Sequence, residues 1–320
     1  MDWQTAIYRV GSYLRHCLTA RHTGGHGIHS PYLFEWVRLV LSDENSYYAW
    51  GEIEKVRAKM LADEREVAFV DYGAGRPHPT SPTKERGRDY RRICDIAKGS
   101  LAKKKYAQML ARLVNWLGGP LLTSPSRGGI GDGRLAIGDW RLAIGDRQLE
   151  MGDGQLAVGD WRLAMGNGLI IVELGTSLGV TTAYMAAMDK RNRVITYEGC
   201  PAVAEIAKEN WEALGLKNID CRVGEITADI LDRDLERVDV AFIDANHTYA
   251  GTREYFKVLA EKVHTKSVVV VDDIHYNREM EKAWREICED ERVTSTMDLY
   301  QIGIVFFDPD YWKRDYRLKV

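Results

Sequence analysis

Leu169-Ile170-Ile171-Val172-Glu173-Leu174-Gly175-Thr176-Ser177-Leu178-Gly179-Val180-Thr181-Thr182 opens with six mostly apolar residues, rich in β-branched side chains, and breaks at a glycine. Such a run predicts a buried strand ending in a turn. From Leu178 to Met188 the apolar positions Leu178, Ala183, Met185, Ala186 and Met188 follow a helical rhythm. Strand, glycine turn and helix together are the opening of a nucleotide-type α/β unit. Gly175 and Gly179 let backbone approach a ligand closely, and the helix start offers unpaired N–H groups. A buried turn with no ligand would read the same way.

Working outward, Arg193-Val194-Ile195-Thr196-Tyr197-Glu198 is a second strand ending in an acid about twenty residues beyond the turn, a position suited to both hydroxyls of a ribose. Ser177 stands where a dinucleotide fingerprint would place its second glycine, so the turn reads as E-x-G-x-x-x-G from Glu173 to Gly179. This resembles motif I of the class I S-adenosylmethionine (SAM) methyltransferases. The resemblance implies that Glu173, Gly175, Thr176, Ser177 and Gly179 hold the methionine part of SAM, with Glu198 and Gly199 at the ribose. The same turn also matches G-x-S-x-G, the nucleophile elbow of serine hydrolases, with Asp244 and His275 following in order. Against a hydrolase, the chain before about residue 120 reads mainly helical, and Glu198 would have no role.

The rest of the chain continues the α/β alternation. Strands are predicted at Ile219–Val223, Val238–Asp244, Ser267–Asp272, Val293–Met297 and Ile302–Phe307. Helices are predicted at Pro201–Leu214, Tyr249–Lys262 and Asn277–Cys288. Counting from Leu169 gives a Rossmann-like seven-stranded sheet, parallel except for its final strand, as in the class I methyltransferases. By that resemblance Gly224 and Glu225, after the third strand, lie near the adenine. Phe242-Ile243-Asp244-Ala245-Asn246-His247 and Val270-Val271-Asp272-Asp273-Ile274-His275 put carboxylates beyond the ends of the next two strands. This is similar to the catechol-type O-methyltransferases, whose acids at these positions hold a divalent cation. The expected metal ligands are therefore Asp244, Asp272 and Asp273, with Mg²⁺ the candidate ion. Asp273 stands where that family usually has an amide. Asp244, His247 and His275 are the candidate catalytic groups, and Asp244 also borders the cofactor.

Three regions are expected. Residues 1–120 form a mainly helical N-terminal extension, 121–168 an insertion, and 169–320 the SAM-binding domain. In the extension, Trp3, Ala6, Ile7, Val10, Tyr13, Leu14, Cys17 and Leu18 make an apolar helical stripe over residues 2–21. Further helices are expected at Tyr32–Leu41, Glu52–Leu61 and Tyr106–Leu117, and a short strand at Glu66–Tyr72. The loop His26-Gly27-Ile28-His29-Ser30-Pro31 offers two histidines as base, metal ligand, substrate contact or helix cap. With this loop and the run VELGTSLGVTTAY, the chain resembles uncharacterised bacterial class I methyltransferases that carry a helical N-terminal extension. The insertion repeats with period seven from Gly131 to Met165, as GDGRLAI, GDWRLAI, GDRQLEM, GDGQLAV and GDWRLAM. Its glycines would cost a helix about 7 kcal/mol, at about 1 kcal/mol each, so short hairpins or a disordered loop are expected.

Composition narrows the class. The 320 residues are 45% hydrophobic with a net charge of −3, enough for a sizeable core and neutral about polyanionic partners. Basic residues at 84–92 and 103–105 lack the interleaved aromatics of a nucleic-acid surface. No apolar run approaches a membrane span of about 18 residues, and no signal-peptide core is present. Cys17, Cys94, Cys200, Cys221 and Cys288 are scattered, odd in number and without C-x-x-C spacing, which fits reduced cytoplasmic thiols. The sequence thus points to a SAM-dependent methyltransferase acting on a small-molecule hydroxyl. N-methylation, a non-catalytic SAM-binding module and a serine hydrolase are the alternatives.

Overall fold

Val268, Val269, Val270 and Val271 read as an unbroken apolar run because both faces of their strand are covered. Val268 and Val270 pack into one core with Trp36, Leu110 and Leu113, and Val269 and Val271 into another with Phe256, Leu259 and Ile287. The computed structural model describes residues 3–21, 23–70, 89–118, 168–311 and 313–319. The strands are β1 Glu66–Phe69, β2 Asp89–Arg92, β3 Ile170–Leu174, β4 Arg193–Glu198, β5 Ile219–Val223, β6 Val238–Ile243, β7 Val263–Asp272, β8 Ser295–Asp298, β9 Ile302–Phe306 and β10 Arg314–Arg317. The first two pair antiparallel as a small separate sheet.

The other eight form one sheet in the order β10-β8-β9-β7-β6-β3-β4-β5. All neighbours are parallel except where β9 runs against β7 and β8. This is the expected Rossmann-like sheet, parallel but for one strand, with β10 added at the edge beside β8. The seven expected strands are present, and β10 was not expected. Arg314-Asp315-Tyr316-Arg317 has one buried side chain, Tyr316, so it carries little alternation to read. β3 lies between β4 and β6, and the chain moves outward through β4 and β5 before crossing back to β6. That reversal opens a crevice at the carboxyl ends of the central strands.

Helices from the described part of the N-terminal region cover one face of the sheet. Helices occur at Trp3–Thr19, Pro31–Trp36, Tyr48–Ala62, Ile93–Ser100 and Lys104–Gly118, and Pro31–Trp36 runs on into one π-helical turn at Val37–Leu41. Ser30 caps Pro31–Trp36 by accepting from the Leu33 N–H, while His26 and His29 are exposed. Tyr106, Leu110, Leu113 and Leu117 share a core with Ile171, Phe242 and Ile304 of the sheet. Ile93–Ser100 and Ala228–Asp234 are helices that periodicity did not single out, each being too short to display a full stripe.

Helix Trp3–Thr19 reverses the ordinary logic of amphipathic packing. Its apolar stripe faces outward, with Trp3, Ile7, Val10 and Leu14 exposed and Leu18 84% exposed. Polar groups hold it instead: the Tyr8 hydroxyl donates to Glu281, the Tyr300 hydroxyl donates to the Arg9 carbonyl at 2.8 Å, and Ser12 and His16 are buried. No helix among the described residues is long and apolar enough to cross a membrane. The seven-residue repeat lies outside the described residues, as does most of the basic stretch 84–92.

Since Leu110 is fully buried against the sheet, Leu110→Ala is expected to lower stability by about 2–5 kcal/mol in urea denaturation. Leu18→Ala, on the exposed stripe, should change it by less than about 0.5 kcal/mol.

Candidate functional site

A cleft of about 490 Å³ opens at the carboxyl ends of β3, β4, β6 and β7, within the size range of small-molecule sites. The turn after β3 forms one wall. Gly175 adopts φ 100°, and a Cβ there would lie 2.1 Å from the Asp244 carbonyl oxygen. The backbone after β6 is by itself enough to require glycine here, and Gly175 also lines the cleft. The N–H groups of Gly175 and Thr176 both donate to the Tyr197 carbonyl, at 3.0 and 3.1 Å, which ties the turn to the end of β4. Gly179 adopts φ 74°, and a Cβ there would meet the Trp211 indole 2.5 Å away. It packs against a tryptophan and does not line the cleft.

Glu173 likewise belongs beneath the site. Its side chain is fully buried and accepts hydrogen bonds from the Thr182 hydroxyl at 2.5 Å and the Thr196 hydroxyl at 2.7 Å. Thr196 in turn bonds Thr176 at 2.6 Å. Burial pushes the Glu173 carboxyl up to about 7, although both hydroxyls oppose the shift. It braces the turn from below.

Glu198 lines the cleft. Its Oε2 accepts from the Ser177 N–H at 2.7 Å and its Oε1 from the Cys200 N–H at 2.9 Å. Burial raises its pKa, and these backbone N–H groups counter it. Each oxygen keeps a lone pair for a further donor. Gly199, Glu225, Ile226 and Thr227 continue this wall, while Gly224 turns at φ 140° behind it.

The opposite side is acidic. Asp244, Asp272 and Asp273 all line the cleft. Burial, then the charges of Asp272 and Asp273, raise Asp244 well above the usual carboxylate range. Burial and the Asp273 charge push Asp272 up to about 7. Asp244 and Asp272 lie close enough for each to act on the other's titration. Asp272 Oδ1 is buried and has no hydrogen-bond partner. The His247 ring stands 3.5 Å from Asp244, and burial lowers its pKa, so it is neutral near pH 7.

Backbone strain gathers here as well. Ser177, Asn246, His247 and Asp273 have positive φ without being glycine, and all four line the cleft. Conformations of this kind cost about 1–3 kcal/mol each and concentrate at functional sites.

His275 is not brought to the cleft. Its Nε2 lies 2.9 Å from Asp298 Oδ2, and its ring stacks on Tyr300. The residue after β7 that reaches the cleft is Asp273, while the chain carries His275 to the other side. The hydrolase arrangement is absent too: the Ser177 hydroxyl bonds the Ser100 hydroxyl at 2.5 Å and no histidine. Residues not anticipated come from the N-terminal region, where Phe69, Ile96, Ser100 and Leu101 close the cleft. Ile93, Ile96 and Ala97 form a short apolar face that could have signalled the helix, but nothing local says what that face meets.

Residues 172–274 match the family model described as a methyltransferase domain. The chain carries a methyltransferase domain. An O-methyltransferase (imqG) of Aspergillus flavus is 30% identical over 111 residues, 32% of this chain and 44% of the relative. A protein-L-isoaspartate O-methyltransferase of Magnetococcus marinus is 40% identical over 60 residues, 19% of this chain and 25% of the relative. The chain thus spans less than half the length of the curated relatives it matches. The O-methyltransferase from Bacillus cereus, solved in complex with SAH, aligns at TM-score 0.47 and 16% identity over 86% of this chain and 97% of that one. Every cleft carboxylate described above falls inside the matched segment of the methyltransferase domain or within its bounding turns.

Two outcomes test this account. Gly175→Ala should destabilise the fold by more than about 2 kcal/mol, since it combines φ strain with a backbone clash. Urea denaturation measures it. Glu173 carries its burial penalty when charged, so that penalty is absent below its unfolded pKa near 4.5 and grows as pH rises to about 7. Glu173→Gln should gain stability relative to the parent protein as pH increases across that window, by up to about 3 kcal/mol at pH 8. Parallel thermal melts at pH 5 and pH 8 check the sign; a pH-independent difference would show that Glu173 is not buried as described.

Proposed function

We propose that this chain transfers the methyl group of SAM to a hydroxyl oxygen of a small molecule. The observation that carries the reading is the convergence of Glu198, Asp244, Asp272 and Asp273 on one cleft at the carboxyl edge of the sheet. A cationic sulfonium with an ammonium group suits an acidic cleft, and a ribose suits a carboxylate with free lone pairs, as at Glu198. The five scattered thiols are free, in keeping with a cytoplasmic setting.

In the reaction, a lone pair of the substrate oxygen forms a bond to the methyl carbon. The carbon–sulfur bond breaks, its electron pair stays on sulfur, and the hydroxyl proton passes to the neutral His247 imidazole. Burial holds His247 in the form able to accept it. The charge of Asp273, which favours protonation of His247, steadies the imidazolium that results. Asp244, Asp272 and Asp273 are hard oxygen donors, and the unpartnered Asp272 Oδ1 fits a divalent cation such as Mg²⁺. When bound, that ion would lower the substrate hydroxyl's pKa and act as Lewis acid.

Calorimetry with SAM or its demethylated product should give a micromolar dissociation constant, and no heat at high protein concentration would refute the reading. Glu198→Ala should weaken that binding by about 1–3 kcal/mol. Once a substrate is in hand, His247→Ala should lower kcat by about 10²–10⁴-fold. EDTA should abolish turnover and Mg²⁺ restore it, with Asp244→Asn inactive. Full turnover by metal-stripped protein would discard the cation and leave His247 as the base.

A further inference from the structure

At the carboxyl end of β8, the buried residues His16, His275 and Asp298 bring one potential ligand atom each to within 4.8 Å of one another. His16 comes from helix Trp3–Thr19, His275 from the loop after β7, and Asp298 from the end of β8. His16 Nε2 lies 3.1 Å from the Leu318 carbonyl oxygen, which can only accept, so Nε2 carries a proton. Its Nδ1 then faces Asp298 Oδ1 at 3.4 Å, buried and without a hydrogen bond. A nitrogen lone pair aimed at a carboxylate oxygen is repulsive unless a positive charge lies between them. His275 presents Nε2 to the other oxygen of the same carboxylate at 2.9 Å, and its Nδ1 is also buried and unpartnered.

We propose that His16, His275 and Asp298 form a binding site for a divalent metal of the zinc type, which fastens the N-terminal helix to the sheet. Two imidazoles and one carboxylate are ligands that Zn²⁺ accepts. Both imidazoles face the one carboxylate, His275 Nε2 at 2.9 Å from Oδ2 and His16 Nδ1 at 3.4 Å from Oδ1, so the three groups converge on one point. The Leu318 carbonyl holds the His16 ring with Nδ1 turned inward, the outer contact typical of metal-bound histidine. A cavity of about 400 Å³ reaches His275 and Asp298 and gives water access to the fourth position. Arg317 approaches Asp298 Oδ2 at 3.4 Å from that cavity, where Asp315 and Glu281 supply opposing charge.

The helix has reason to need such a fastening. Its apolar stripe faces outward, so hydrophobic burial does not hold it down.

The test uses the full chain and the metal alone. After exhaustive dialysis against a chelator, zinc titration should show one site with a micromolar or lower dissociation constant. Co²⁺ should give the visible absorption of a tetrahedral nitrogen–oxygen site, without the thiolate charge-transfer band that binding at Cys288 would produce. His16→Ala and His275→Ala should each weaken zinc at least tenfold, whereas Asp273→Asn in the cleft should leave this site intact. Zinc should also slow tryptic cleavage at Arg9 and Arg15. The proposal is overturned if the parent protein binds no stoichiometric zinc, if a thiolate band appears, or if the folded histidine variants bind as tightly as the parent. It also fails if Asp273→Asn removes the binding.

Discussion

The Asp244 carbonyl sits where a side chain on Gly175 would have to go, and most of the site follows from that contact. The turn after β3 and the loop after β6 can meet so closely because Gly175 has no Cβ and tolerates φ 100°. Their meeting sets Ser177 N–H against Glu198 and places Asp244 at the cleft floor. The Tyr197 carbonyl, accepting from both Gly175 and Thr176, draws the end of β4 into the same corner.

Beneath that corner a buried acid is held by hydroxyls. Glu173 with Thr182, Thr196 and Thr176 forms a polar knot inside an otherwise apolar sheet. The hydroxyls of Thr182 and Thr196 both serve Oε2, while Oε1 is buried without a partner, so losing either hydroxyl would add to a polar deficit already present. The acidic cleft lies above it. There Asp244, Asp272 and Asp273 crowd together, and the unpartnered Asp272 oxygen leaves capacity for something positively charged.

The described N-terminal helices are held to the sheet domain in two different ways. Helix Lys104–Gly118 packs on the sheet face, and helix Ile93–Ser100, packed against Leu178, Cys200 and Val203, brings Ile96, Ser100 and the following Leu101 to the cleft. Helix Trp3–Thr19 attaches by polar groups near β8 and leaves its apolar stripe exposed. The same amphipathic pattern in sequence thus corresponds to opposite orientations: Lys104–Gly118 buries its stripe and Trp3–Thr19 displays it.

What the sequence determined by itself was the local alternation and its punctuation. Strand runs such as Ile170–Leu174 and Val268–Val271, the break at Gly175, and acids at strand ends were legible because both faces of the sheet are apolar and its turns need particular residues. Glu198, Asp244, Asp272, Asp273 and His247 were legible for the same reason, since they follow strands and a parallel sheet gathers strand ends at one edge. Tertiary structure decided which way each neighbouring group faces. Glu173 turns beneath the turn rather than into the cleft, and His275, two residues beyond Asp273, leaves the cleft for Asp298. Ser100 and Ile96 enter it from a region whose sequence carries no mark of it. Periodicity reports that a face is apolar or that a side chain is ionisable. What that face or group meets is set by chain segments tens to hundreds of residues away, as His16 at Asp298 makes plain.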